Sequence, residues 1–176
     1  MKEIVEKTLQ FYFEKLREPK LSELDISLDD TISSQGCGFV TLYHKWEVCG
    51  SAGNIKEIKA NLWEELIAST FAALTDKRFS ALKKDEFESL QFRIDHITKR
   101  EIIHITELKN LDPVKQGCIA ISRDYEKLGV ILPNMSAKLL SWSDFIPALE
   151  YKLEKKDIDD THYIFYRIET RTETNY

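Results

Sequence analysis

What this chain lacks narrows its class before anything it contains. Paired cysteine spacing is missing: Cys37, Cys49 and Cys118 are an odd set of three with no clustering. That excludes a disulfide framework and a four-cysteine zinc site, and points to a reduced, cytoplasmic protein. Basic excess is missing too. With a formal charge of −5, a pI near 5.5 and no Lys/Arg stripe, the chain offers no footprint for a phosphate backbone, so no nucleic-acid partner is expected. Long apolar runs are absent, because charges interrupt each one before it reaches the length of a signal core or a membrane span. The four histidines, His44, His96, His104 and His162, show neither helical i, i+4 spacing nor Cys/His clustering, so neither a metal nor a cofactor is expected.

What is present describes a folded chain of ordinary size. Hydrophobic residues make up 43% of 176 positions and charged residues 31%, well away from disordered composition and enough for one continuous core. A single domain over 1–176 is expected, divided into an N-terminal helix and loop (1–35), a core (36–168) and a polar tail (169–176).

Periodicity supplies the elements. Ile4, Val5, Thr8, Leu9, Tyr12, Phe13 and Leu16 recur at helical spacing ahead of Pro19, which predicts an amphipathic first helix. Residues 20–35 read as a loop with one short element. Residues 39–44 are β-rich and apolar on both faces, as in a buried strand, with 46–49 returning beside it. Asn61 with Glu64 forms a capping box, followed by Leu62, Trp63, Leu66, Ile67, Thr70, Phe71 and Leu74 on one helix face. Phe92, Ile94 and His96 alternate with Arg93, Asp95 and Ile97 in a half-buried strand, and a turn at Lys99 and Arg100 would lead into a further strand at 102–105. Residues 118–122 and 129–132 read as strands joined by a charged turn at 123–127. Ser141 and Asp144 cap a third helix carrying Trp142, Phe145, Ile146, Leu149 and Leu153, and an aromatic strand follows at 163–168. No regular βαβ alternation appears. The reading is therefore an α+β fold: a largely antiparallel or mixed β-sheet with about three main helices packed on it.

Several segments, in this order, resemble the AMMECR domain family: Gly38-Phe39-Val40-Thr41-Leu42, the small-residue stretch from Gly50 to Gly53, Asp76-Lys77-Arg78-Phe79-Ser80-Ala81-Leu82, Leu111-Asp112-Pro113, Gly129-Val130-Ile131-Leu132-Pro133 and Trp142-Ser143-Asp144-Phe145. The ordered set, covering about 36–167, carries the resemblance. The resemblance implies an α+β domain whose mixed sheet is barrel-like; its microbial branch is protein A of the AmmeMemoRadiSam system, which implies a Memo-like protein and a radical S-adenosylmethionine enzyme as partners and a biochemical activity that is unsettled for the family. Where the family has Leu-Arg-Gly-Cys-Ile-Gly, this chain has Val48-Cys49-Gly50-Ser51-Ala52-Gly53, so Cys49 stands at the Arg position and Ser51 at the Cys position.

The candidate chemistry gathers there. Glycines flanking Ser51 would let the backbone turn and expose amides to an anion or oxyanion, although a plain structural turn needs glycine just as much. Cys49 or Ser51 is the candidate nucleophile of a small enzyme. Cys49 would need activation by His44 or Lys45, and the competing reading is a packed, inert thiol. Gly50, Gly53, Asp76 and Arg78 are candidate ligand-binding residues; Asp76 and Arg78 would equally hold one another or pin a helix end. Asp95 opposite His104 across the expected turn is a candidate acid/base pair, with a surface ion pair as the commoner meaning of such a placement, and His96 is read as a hydrogen-bonded core histidine. The functional reading is a binding or accessory domain working with the implied partners; the alternative is an enzyme with its pocket at 50–53.

Overall fold

The computed structural model describes residues 1–27, 30–135 and 141–176, with all side chains except those of residues 30, 31 and 142. Part of the expected loop at 20–35 and the side chain of Trp142 thus lie outside the description. The chain forms helices α1 (Lys2–Lys15), α2 (Asp30–Ser33), α3 (Leu62–Leu74) and α4 (Phe145–Leu153), and strands β1 (Gly38–His44), β2 (Glu47–Gly53), β3 (Leu90–Ile103), β4 (Gly117–Ser122), β5 (Leu128–Ile131) and β6 (Tyr163–Thr174). The strands make one six-stranded sheet in the order β2-β1-β3-β6-β4-β5. Its β1/β2, β1/β3, β4/β5 and β4/β6 pairings are antiparallel. The expected α+β class and three main helices (α1, α3, α4) stand, and of the largely antiparallel or mixed sheet expected, the antiparallel form is present.

Two compact units are present: Met1–His96 with Arg171–Tyr176, and Ile97–Thr170. In the first, α1 packs on α3, and α3 packs on β1 and β2. Asn61 caps α3 as expected, its Oδ1 accepting from the Glu64 amide at 3.1 Å, while the Glu64 carboxylate reaches back one residue further, to the Ala60 amide at 3.2 Å. Val40, Leu42, Phe92 and Ile94 from the sheet join Ile4, Leu9, Leu62 and Leu66 from the helices in one buried cluster, each worth about 1.5–3 kcal/mol relative to exposure. Leu16 departs from the expected apolar face. It is the left-handed C-cap of α1, at φ 55° and 74% exposed, so the helix stops ahead of Pro19.

In the second unit, β4 and β5 form the expected hairpin. Its turn is tied by Ser122 Oγ donating to Asp124 at 2.5 Å and accepting from the Lys127 amide at 2.9 Å. Phe145, Leu149 and Leu153 of α4 pack with Cys118, Ala120, Ile131, Tyr163 and Phe165. The Ser141 amide donates to Asp144 at 2.9 Å, as the cap pattern predicts, but residues Trp142–Asp144 form a 3₁₀ turn before α4 begins.

Two sequence expectations fail on strand length. No turn occurs at Lys99 and Arg100: β3 runs unbroken from Leu90 to Ile103. That pair lacks the glycine or asparagine that tight hairpins favour, and Lys99 forms an ion pair with Glu101 at 3.1 Å along the strand. The tail expected from residue 169 is instead the second half of β6. Thr170, Thr172 and Thr174 are β-branched and suit a pleated strand despite their polarity.

Candidate functional site

The segment 47–53 is strand throughout, and no glycine in the described structure has positive φ. The expected glycine turn at Gly50–Gly53 is therefore an edge strand. The actual reversal lies upstream, at Lys45 (φ 52°) and Trp46 (φ 67°), two consecutive left-handed residues as in a type I′ hairpin. Glycine is needed at 50 and 53 for space. A Cβ on Gly50 would come 2.1 Å from the Ala73 carbonyl oxygen of α3, and one on Gly53 would come 2.1 Å from that of Gly38.

Strand register then builds a polar row. Thr41 pairs with Ser51 on one side and with Arg93 on the other. Because Val40, Leu42, Phe92 and Ile94 face the helices, Thr41, Ser51, Arg93 and Asp95 project from the opposite face. The Thr41 and Ser51 hydroxyl oxygens are 3.1 Å apart. Arg93 holds Asp95 with two hydrogen bonds, Nε to Oδ2 and Nη2 to Oδ1, both 2.7 Å, and Thr172 Oγ1 donates to Asp95 Oδ1 at 2.8 Å. Arg93 is 8% and Asp95 0% exposed, so this is a buried ion pair with both carboxylate oxygens engaged. Sequence alternation placed Arg93 and Asp95 on one face; it did not show that this face is buried as well.

Asp76 and Arg78 converge on Ser51 from the edge of the sheet. The Ser51 amide donates to Asp76 Oδ2 at 3.2 Å, and Arg78 Nη2 donates to the Ser51 carbonyl at 2.8 Å. The two side chains also grip each other, Arg78 Nη2 to Asp76 Oδ2 at 2.7 Å and Nε to Oδ1 at 2.9 Å. The Arg78 hydrogen bonds hold the Asp76 carboxyl down to about 2. Of the sequence candidates, Ser51, Asp76 and Arg78 therefore meet, with Gly50 and Gly53 seating the strand that carries them.

Cys49 belongs elsewhere. It sits at the β-bulge where the β1/β2 register slips, so that Leu42 faces Gly50 while Tyr43 faces Val48. Half-buried against the core of the first unit, its thiol is pushed up by burial to about 11. Neither proposed activator is engaged with it: His44 Nδ1 lies 3.2 Å from Glu86 Oε1, and Lys45 is exposed in the turn. The expected Asp95–His104 pair is not formed, since β3 does not turn back. His104 Nε2 lies 3.0 Å from Asp160 Oδ2. His96, expected as a hydrogen-bonded core histidine, is only half-buried; its buried Nδ1 has no hydrogen-bond partner among the described residues, and burial lowers its pKa, with Arg171 adding to the effect. Glu65, which no pattern singled out, is 1% exposed on α3 and accepts from Asn54 Nδ2 at 2.6 Å. Among the described residues no group of three or more His, Cys, Asp or Glu side chains could hold a metal ion.

With this geometry in place, comparisons with known proteins give a consistent result. The AMMECR1 family profile matches residues 3–171, so the family resemblance extends through the N-terminal helix, beyond the 36–167 that motifs alone marked. A protein of Clostridium acetobutylicum is 34% identical over 122 residues, which cover 69% of this chain and 24% of that protein. The chain thus spans about a quarter of the length of that relative. The crystal structure of an uncharacterized protein from Pyrococcus horikoshii superposes with a TM-score of 0.79 at 17% identity, covering 96% of this chain and 86% of the other, and establishes the fold.

Proposed function

The chain belongs to the AMMECR1 family, and from that premise we propose that it is a binding or accessory domain of the kind found as protein A of the AmmeMemoRadiSam system, acting with a Memo-like protein and a radical S-adenosylmethionine enzyme. The observation that carries the reading is the exposed apolar tip of the β1/β2 hairpin. Trp46 is 66%, Val48 44% and Tyr176 55% exposed. The Trp46 and Tyr176 rings meet edge-on at 5.2 Å, with Tyr43 against Tyr176 at 6.3 Å. Rigid, amphipathic rings displayed in this way are the residue types that dominate protein interfaces. The clostridial relative supports the same reading, since a domain of this kind occurs there within a much longer chain. A reduced cytoplasmic setting belongs to the proposal and fits the three free cysteines.

The enzyme alternative draws less support from the geometry. Burial disfavours the Cys49 thiolate, and among the described residues no histidine or carboxylate is hydrogen-bonded to Ser51 Oγ. Titration calorimetry against each purified partner tests the proposal. Binding is expected to at least one, and Trp46→Asp should weaken it by about tenfold or more with circular dichroism unchanged. No binding to either at about 100 μM would overturn it.

A further inference from the structure

We infer that the Asp76–Arg78 pair stands in for a missing neighbour strand at Ser51, and that it keeps the β2 edge from pairing with a second copy of this chain. The sheet order leaves β2 with one strand neighbour, β1. An edge of this kind presents backbone donors and acceptors to any extended chain that meets it. The sequence of β2 adds to the hazard, because beyond Glu47 at its start the strand has no charge and no proline from Val48 to Gly53 to disfavour pairing.

The charge comes from outside the strand. In an antiparallel ladder, a residue facing a neighbour exchanges two bonds with it, donating its N–H and accepting at its C=O. Ser51 makes this same exchange with side chains: its amide donates to the Asp76 carboxylate and its carbonyl accepts from the Arg78 guanidinium, at 3.2 and 2.8 Å. Ser51 lies in the interior of Glu47–Gly53, so a single plug there interrupts any run of intermolecular pairs on either side. The plug is fixed rather than incidental. The Asp76 amide is bonded to the Ala73 carbonyl at the end of α3, the Phe79 amide to the Asp76 carbonyl, and the Arg78 amide to Asp76 Oδ1. The Arg78 side chain is 70% exposed against 10% for Asp76, so the guanidinium meets solvent where an incoming strand would have to dock. A desolvated charge on that line opposes docking by any strand unable to satisfy it. This role for the pair holds whichever partner the domain binds.

The test compares association and amide exchange. Relative to the native chain, the double variant Asp76→Ala, Arg78→Ala should show added, concentration-dependent self-association by sedimentation. Introducing Ser51→Pro into that variant removes the outward donor and should abolish the added association. A folded double variant whose mass matches that of the native chain up to about 1 mM would overturn the inference, as would added association that survives Ser51→Pro. If the double variant does not fold, the native protein decides. Its Ser51 amide should exchange within about tenfold of the Ala52 amide, and exchange at the rate of an unprotected strand edge would overturn the inference.

Discussion

Asp76 shows how far a single hydrogen-bonded pair resists pH. Its carboxyl is held at about 2 in the fold, chiefly by the Arg78 hydrogen bonds, against about 3.9 in an unfolded chain. A depressed carboxylate pKa contributes stability that is fully present above the unfolded value and lost as pH falls through the folded one. The Ser51 amide should accordingly stay protected from neutrality to about pH 4 and lose protection only as pH approaches about 2, which amide exchange across that window would read. Cys49 is displaced in the opposite sense. Its alkylation should be slow at neutral pH and rise only as pH nears about 11, with Cys37 and Cys118, 1% and 0% exposed, slower still. Fast labelling of Cys49 at pH 7 would contradict this. For the buried pair, Arg93→Ala should cost about 3–5 kcal/mol by urea unfolding, because it takes the guanidinium counter-charge from the buried Asp95 carboxylate, whereas replacing both partners with apolar residues of similar volume should cost far less. Sequence marked Ser51, Asp76 and Arg78 separately. It did not reveal their meeting, because that contact depends on the path of the chain beyond α3.

At the scale of elements, helices were the most legible, since their caps and apolar faces are written in neighbouring residues. Asn61→Ala should cost about 1 kcal/mol for the lost cap. Strands are legible where turn residues flank them and obscure where a polar stretch resembles a turn or tail, as at Lys99–Arg100 and beyond residue 168. Gly50 through Gly53 misleads for a related reason: glycine signals backbone freedom in sequence, but here it serves a close approach. Gly50→Ala should therefore destabilise by about 1–3 kcal/mol as β2 and α3 are forced apart, lowering the thermal midpoint. The reversal itself uses Lys45 and Trp46 at positive φ. Lys45→Asn, better suited to that conformation, should stabilise by a few tenths to about 1 kcal/mol in the same assay.

Across the whole molecule, class and family were readable because they rest on composition and ordered motifs, and the α+β class needed only the succession of elements. The depth of burial on the second face of β3 was not readable, since alternation reports which residues share a face and says nothing about what covers it. The net charge of −5 leads to a direct expectation: the protein should not be retained on a heparin column even at about 50 mM salt, where a phosphate-binding surface would hold. The seating of Ser51 has one more consequence. The fold grips this position by its backbone, through Asp76 and Arg78, and by the Cβ atoms that Gly50 and Gly53 lack, while its side chain makes one hydroxyl contact at 3.1 Å. The position is thus an interchangeable mount on a rigid frame. Ser51→Cys would fit a thiol to it without moving the strand beneath, providing an address at which a probe could record what happens at the half-buried β2 edge.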